Sequence, residues 1–474
     1  METRGAGSRK RKSAALVETT DKAPAPAAIS QGDGGAGRLS SLPDAILGEI
    51  ISLLATKEGA RTRILASRWR HLWLSAPLNL DCCDLMAICR KSARVAVISR
   101  ILSSHQGPGR RLHFDNLRLN IPARTVKACL RSTSLDNLEE LHFTGVDRPL
   151  QPLVFRFSST LRVANIGTCN LSKVACQGLH FPLLKQLGLA DVYISECSLH
   201  TLIAGCPALE CLLIRDSSGF RCLRVNSLTI RSISVLSKLM IISFDAHPVL
   251  FKELVIENAP CLLRLLLLDQ ENYLHVSVVV APKLETLGFM SDGTWRQGEF
   301  SKKVFGSTIF QGLRVDKLIT VVQSVKILAL DMQNLCLDTV IELMKCFPFL
   351  EKLYIESDES TLGSLRRHKQ RNLIGCFDMR LKTLALTNYL GMMLQVKFIT
   401  FFVLNANLLE SVTLGIEARN NNEEFLAKQR VKLKIDNKVS RDARFHFTTK
   451  TPVRSFNMVA DVRDLDLTNP FANS

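Results

Sequence analysis

At 474 residues the chain exceeds the ~100–200 residues of an ordinary domain, although repeat arrays escape that bound because they grow by addition. Apolar residues make up 46% and aromatic residues 6%, so Leu, Ile and Val must build the core, which favours helices or stacked repeats over an aromatic-rich sandwich. The formal charge of +17 is diffuse: residues 1–37 and residues 38–81 each hold six Lys/Arg against four Asp/Glu, and the other +13 spreads over 393 residues. Diffuse charge argues against a nucleic-acid partner, which a basic stripe would suit.

The opening stretch Met1 to Lys12 is charged with no apolar run behind it, unlike a secretory leader. The 14 scattered cysteines, several beside apolar residues, read as reduced, small core hydrophobes. The most apolar run, Leu262 to Leu268, is broken by Arg264 and falls short of the ~18 residues of a membrane span. Residues 1–37, rich in Gly, Ala and Ser with Pro24 and Pro26, read as a disordered basic arm. Within it Arg9-Lys10-Arg11-Lys12 is either a nuclear-import signal or a solvated tail. The expected setting is nucleus, cytoplasm or both.

Order is expected from Leu39. Ile46, Leu47, Ile50, Ile51, Leu53 and Leu54 form a helical stripe, with Pro43 in the first turn, where its missing N–H costs nothing. Thr56 is placed to cap a second helix carrying Ile64 and Leu65. Trp69 and Trp73, four apart, share one face of a third. So few residues cannot bury a sufficient core alone, and the segment is expected to lean on a partner.

From residue 138 a phrase recurs: apolar, two variable, apolar, one variable, apolar. It reads Leu138-Leu141-Phe143, Leu184-Leu187-Leu189, Leu209-Leu212-Ile214, Leu262-Leu265-Leu267, Leu284-Leu287-Phe289, Val325-Leu328-Leu330, Leu350-Leu353-Ile355, Leu381-Leu384-Leu386 and Leu409-Val412-Leu414. With a weaker copy at Leu161, separations of 22 to 25 residues recur, within the range of leucine-rich repeats. The last three positions alternate in–out–in as a strand does, and stacked units share one core. Segments such as Ser198–Ile203 and Leu337–Lys345 have helical spacing and are expected on the convex side, with Asp338 capping the latter.

Gly37-Arg38-Leu39-Ser40-Ser41-Leu42-Pro43-Asp44-Ala45-Ile46-Leu47 and Arg68-Trp69-Arg70-His71-Leu72-Trp73 resemble the start and end of a plant F-box. Lys397 to Phe447, with Phe401-Phe402-Val403-Leu404-Asn405-Ala406 and Ser440-Arg441-Asp442-Ala443-Arg444-Phe445, resembles the FBD domain. Beyond residue 38 the chain therefore resembles the plant F-box/FBD/LRR-repeat family. The resemblance implies an α/β chain: a three-helix F-box at 38–80, an irregular leucine-rich-repeat solenoid (a horseshoe) at 110–396, an FBD region at 397–450 and a tail at 451–474.

It also implies a non-catalytic receptor subunit of a Skp1-cullin-F-box ubiquitin ligase. Carried over by position, contact with the Skp1-like adaptor falls on Leu42, Pro43, Ile46, Leu47, Ile50, Leu54, Leu65, Trp69 and Trp73, several of which also suit an internal core. Through the adaptor comes cullin, and the repeats would bind a target protein. Gly59 and Ala60 stand where the family usually has Ala and Val, and Ala66 departs from a Leu-Ser-basic pattern. An interior glycine costs about 1 kcal/mol of helix stability and an Ala in place of Val removes further packing, which together are expected to weaken adaptor binding roughly tenfold or more, at about 1.4 kcal/mol per decade. The other readings are a repeat scaffold with a vestigial F-box and a basic nuclear factor touching nucleic acid.

The outward strand positions assign target contact to His142, Gln186, Arg215, Met290, Asp331, Lys352, Tyr354 and Glu356. Across all such positions two Lys/Arg stand against three Asp/Glu, a nearly neutral face suited to protein rather than to nucleic acid. Arg366-Arg367-His368-Lys369-Gln370-Arg371 reads as a solubilising loop. Cys197, His200, Cys206 and Cys211 are close in sequence, but their repeat register conflicts with tetrahedral zinc, so no metal is expected. No catalytic or cofactor motif is present, and no cofactor is expected.

Overall fold

The computed structural model describes residues 41–87, 91–145, 152–171, 178–237, 249–269, 274–291, 302–305, 308–311, 322–332, 335–357, 379–450, 461–466 and 471. The basic arm and the Arg366–Arg371 run lie outside them. The chain divides into two compact units, residues 1–47 and 48–474. In the first, the described part is residues 41–47, where the Pro43 carbonyl accepts the Leu47 N–H at 3.1 Å as helix Asp44–Ser52 (α1) begins.

The second unit is mixed α/β. Helices Thr56–Arg61 (α2) and Ser67–Ser75 (α3) flank a 3-10 turn, Thr62–Ile64. Trp69, Leu72 and Trp73 form the buried face of α3, as their spacing requires. Thr56 does not cap α2: Ala55 holds that position without a side-chain bond. Thr56 Oγ1 instead donates to the Asn79 carbonyl and accepts the Asp81 N–H, both at 2.8 Å. The hydroxyl thus ties the helix to the first strand.

That strand opens a sheet longer than the repeat phrases announced. Its members are Leu78–Asp81 (β1), Gly109–Asp115 (β2), Glu140–Thr144 (β3), Val163–Leu171 (β4), Gln186–Ile194 (β5) and Cys211–Arg215 (β6). After Cys222–Asn226 (β7), which belongs elsewhere, comes Ser232–Ser237 (β8). Glu253–Asn258 (β9) and His275–Val278 (β11) alternate with Arg264–Asp269 (β10) and Thr286–Ser291 (β12). Lys302–Phe305 (β13) and Thr308–Gln311 (β14) precede Ile327–Met332 (β15), Lys352–Ser357 (β16), Thr383–Leu386 (β17), Ser411–Gly415 (β18) and Arg444–Thr448 (β19). The main sheet has 14 parallel strands in the order β1-β2-β3-β4-β5-β6-β8-β10-β12-β15-β16-β17-β18-β19. One register row runs Leu80, Leu112, Leu141, Ala164, Leu187, Leu212, Ile233, Leu265, Leu287, Leu328, Leu353, Leu384, Val412, Phe445. Apart from the half-buried Phe445 at the edge, each of these is buried. Burying one leucine this fully is worth about 1.5–3 kcal/mol, so the row is a main source of stability.

The layer packed against the leucine row is mixed. Helices Lys91–Ser104 (α4), Ala123–Leu130 (α5), Glu196–Ala204 (α6) and Leu337–Cys346 (α7) occupy connections between strands. Ser195 caps α6 by accepting the Ser198 N–H. For α7 the N-cap is Cys336, and Asp338 sits in the first turn, where its charge suits the helix dipole without a cap bond. Between residues 222 and 311, strands replace helices: β14-β13-β11-β9-β7 form a second sheet, parallel except for the β13–β14 pair. Segments such as Glu253–Asn258 (ELVIEN) and His275–Val278 (HVSV) are too short and too rich in β-branched residues for a helix.

Residues 397–450 lengthen the main sheet. They supply most of helix Met393–Asn405 (α8), strand β18, helix Glu423–Lys432 (α9) and strand β19. The residues ahead of several strands also form charge pairs: Lys185 meets Glu210 at 2.9 Å, Lys326 meets Glu285 at 2.9 Å and Lys382 meets Glu351 at 3.2 Å. Exposed pairs add at most ~1 kcal/mol each, but alternating signs on neighbouring strands disfavour a slipped register.

Candidate functional site

Two surfaces bear on function. The first is the helical opening. Of the residues assigned to adaptor contact, Leu42 and Ile50 are half-buried, while Pro43, Ile46, Leu54 and Leu65 are exposed. Leu47, in the first unit, is buried, and so are Trp69 and Trp73 in the second, where the two indoles act as core. The indole of Trp73 lies edge-on to His105 at 5.3 Å, and His105 Nε2 meets the Ala76 carbonyl at 2.8 Å. Burial lowers the pKa of His105, and the Ala76 carbonyl opposes it. Sequence reasoning missed two more exposed residues, Leu53 at 82% and Ile64 at 84%. Spacing alone places Leu53 in a helical stripe and Ile64 on a helix face; the break after Ser52 and the 3-10 turn at Thr62–Ile64 turn both outward.

Gly59 is buried in α2 beneath Trp73. A Cβ there would lie 3.2 Å from Trp73 Nε1 and 3.3 Å from its Cδ1. The glycine that weakens the helix thus also lets the indole approach it closely.

The second surface is the outer face of the main sheet, opposite the leucine row. Leu213, Leu236, Leu266, Phe289, Tyr354 and Ala385 form a separate buried cluster there. It is not open: Val462, Leu465 and Phe471, from beyond the last strand, are each 0% exposed against it. The 3-10 segment Val462–Asp466 is fixed by side chains from several strands. Asn165 Nδ2 donates to Asp461 Oδ1 at 2.7 Å, His142 Nδ1 lies 3.4 Å from Asp461 Oδ2, and Arg463 pairs with Glu140. Arg264 Nη1 donates to the Leu465 carbonyl at 3.1 Å, and Ser232 Oγ does so at 3.3 Å.

Burial pushes the Asp461 carboxyl up, but His142, the Arg463 N–H and Asn165 together outweigh it and hold the group well below the usual carboxylate range. At Glu356 nothing offsets burial, and Asp331 adds to it, so that carboxyl is pushed up to about 7.

Of the residues assigned to target contact, His142 is engaged with Asp461 and Tyr354 packs at 5.6 Å from the Phe471 ring. Gln186, Arg215, Asp331, Lys352 and Glu356 are half-buried. At β12 the register shifts between Leu287 and Met290, where Met290 pairs with Leu330 along the backbone. Phe289, with φ of 44°, lies in the outer-face cluster, as one extra residue in a strand allows.

Cys197, His200, Cys206 and Cys211 do not form a ligand set. Cys206 Sγ donates to the Leu202 carbonyl, and burial pushes its thiol up to about 12. His200 Nε2 accepts the Arg224 N–H, and Cys211 is in the outer-face cluster. Asp81, Cys83 and His113 do converge within 4.8 Å. There Asp81 Oδ2 meets His113 Nδ1 at 2.9 Å, and burial followed by the Asp81 charge raises the Cys83 thiol. Among the described residues no helix is long and apolar enough to cross a membrane.

Comparison with known proteins gives two family matches. The family described as FBD-associated F-box protein At5g56370, LRR repeats, matches residues 126–355, and the FBD family matches residues 369–414. Similar proteins, all from Arabidopsis thaliana, include FBD-associated F-box protein At5g18780, 33% identical over 39% of this chain and 42% of its own length. F-box/FBD/LRR-repeat protein At5g56420 is 30% identical over 42% and 48%. F-box/LRR-repeat protein At5g02910 is 27% identical over 39% and 40%. The chain spans less than half the length of each of these relatives.

Proposed function

We propose, for a chain that belongs to the plant F-box/FBD/LRR-repeat protein family, the role of substrate-recognition subunit in a Skp1-cullin-F-box ubiquitin ligase. On this reading residues 38–80 are a three-helix F-box that docks a Skp1-like adaptor and, through it, cullin. Residues 110–396 curve as a horseshoe and, with the FBD region, present a target protein, in the nucleus, the cytoplasm or both. The chain supplies proximity and no chemistry: holding two reactants together raises effective concentration by orders of magnitude.

The observation that carries the reading is the exposure of Leu53, Ile64 and Leu65, at 82%, 84% and 65%, in so short a helical segment. Large apolar side chains left exposed within one short helical segment mark a surface that another protein covers. An apolar helical face laid against a partner is a common recognition mode. The sheet supports the second half: its outer face is apolar at the centre and carries paired charges at its margins, the anatomy of a protein-binding surface.

The test is capture of a purified Skp1-type adaptor by the full chain, and by chains carrying Leu53→Asp or Leu65→Asp. Capture by the parent chain, weakened at least tenfold by either substitution, is the expected result. A folded parent chain that captures no adaptor would remove the chain from the ligase and leave a repeat scaffold.

A further inference from the structure

The outer face of the sheet holds a length of polypeptide that is 0% exposed at three apolar residues yet belongs to no strand of that sheet. The sheet is fitted to it. At Gly288 a Cβ would collide with the Phe471 ring, which sits edge-on to Phe289 at 5.2 Å. At Gly188 a Cβ would collide with Asn165 Oδ1, the atom that accepts the Val462 N–H, and would lie 3.4 Å from Val462 Cβ. The polar partners sort by charge. The Asp461 carboxylate faces His142 and Asn165, the Arg463 guanidinium faces Glu140, and the Leu465 carbonyl faces Arg264 and Ser232. The bonds to the Leu465 carbonyl and the Val462 N–H are main-chain recognition, available to any peptide that reproduces the side-chain pattern.

We infer that this face is a peptide-binding groove and that residues 461–466 together with Phe471 occupy it in cis, so that a target enters by displacing them. The inference rests on the reading of the repeat sheet as the target-selecting surface and names its ligand class. That ligand is a short protein segment that takes the same 3-10 turn and presents a carboxylate, an apolar residue, a guanidinium and, two residues on, a second apolar residue, with an aromatic ring further along. The occupant is suited to exchange. It is a short 3-10 segment rather than a strand of the sheet, and a cis segment competes by effective concentration, without needing high intrinsic affinity. A target must therefore bind more tightly than the cis segment or be present at high local concentration.

The test uses the full chain and a fluorescein-labelled peptide with the sequence of residues 459–474, read by anisotropy. The parent chain is expected to bind the peptide at least tenfold more weakly than the full chain carrying Asp461→Ala and Phe471→Ala, whose groove is vacated. Adding Gly288→Leu to that variant should abolish binding, because the Phe471 seat is filled. A loosened variant that melts normally and still ignores the peptide overturns the inference. Hydrogen exchange on the unmodified chain checks it without mutation: amides of 461–466 should exchange faster than those of β15, and equal protection of the two would mean a permanent cover. Adaptor capture by the same variants should match the parent. Loss of capture in every protein, with peptide exchange intact, would count against the ligase reading alone.

Discussion

Asn165 donates to the Asp461 carboxylate at 2.7 Å across 296 positions of sequence. The same oxygen accepts the Arg463 N–H at 2.9 Å, and the second oxygen faces His142 at 3.4 Å. All three serve the ionised carboxyl, which is why its pKa falls despite burial. A depressed carboxyl stabilises the fold above its unfolded value of ~3.9 and loses that contribution as pH falls through and below it. Asp461→Asn should therefore cost about 1.5–3 kcal/mol at pH 7, the range for hydrogen bonds to a charged group, and show a flatter acid limb. Urea midpoints between pH 3 and pH 7 measure both effects; parallel acid limbs for the two proteins would contradict the assignment.

Glu356 runs the other way. Burial and then Asp331 push it up to about 7 from 4.5, so the folded chain binds its proton over a window in which the unfolded chain has lost it. Stability then declines as pH rises from about 4.5 toward 7. Glu356→Gln keeps the neutral shape and should remove this decline, so the variant gains on the parent as pH rises from 5 to 8. Asp331→Asn should narrow the same window. Thermal melts at pH 5, 6.5 and 8 decide the matter, and a constant gap between parent and Glu356→Gln would refute it.

The leucine row was legible because each copy of the phrase carries its own core residues. Ile230-Ile233-Val235 obeys the same phrase and forms β8, although it was not counted; its polar Ser232 and Ser234 masked it. Strand β1 was hidden by its place at the end of the helical segment. The Phe289 bulge was invisible because it depends on one positive φ rather than on a pattern. The contact of residues 461–466 and Phe471 with the sheet was not legible: Val462 and Leu465 have the three-residue spacing of a single helical turn, but that spacing does not name partners such as Asn165 and Arg264, 296 and 201 positions away. The sign alternation through Lys185, Glu210 and Arg231, by contrast, stood in plain sight just after the first apolar residue of each copy.

Gly288 and Phe471 should behave as a coupled pair. Gly288→Ala places a methyl group in the Phe471 ring and should cost about 1–3 kcal/mol, the usual penalty of overpacking. In a chain already carrying Phe471→Ala the same substitution should cost at least 1 kcal/mol less, since additivity fails for residues in contact. Denaturant unfolding of the four proteins measures the coupling. Strict additivity would mean that the ring does not occupy this seat in solution.

Tyr389 tests how firmly α9 is anchored. Its hydroxyl donates to Gln429 Oε1 at 2.9 Å, and both residues are buried. Burial pushes the phenol far above its ordinary range, so it stays a donor at every accessible pH. Tyr389→Phe leaves a buried amide oxygen without this donor and should cost about 1–3 kcal/mol. A loss confined to faster amide exchange in α9 would make that helix a separately opening unit, while a lower global midpoint would make it part of the cooperative fold.

The last prediction weighs two effects at Gly59. Replacing an interior helical glycine by alanine gains about 1 kcal/mol in propensity. Here the new Cβ would meet Trp73 Nε1 at 3.2 Å, and the indole is itself packed against His105 at 5.3 Å. A buried ring held on two sides yields little, so crowding should offset most of the gain. Gly59→Ala is expected to change stability by less than ~0.5 kcal/mol, and Gly59→Val, with its bulkier branch, to lower it by about 1–3 kcal/mol. Adaptor titration of the same full-length variants then separates helix stability from contact. Tighter adaptor binding by Gly59→Ala at unchanged stability would show that the glycine weakens the docked surface itself, whereas equal affinities would show that its departure from the family pattern is absorbed by Trp73.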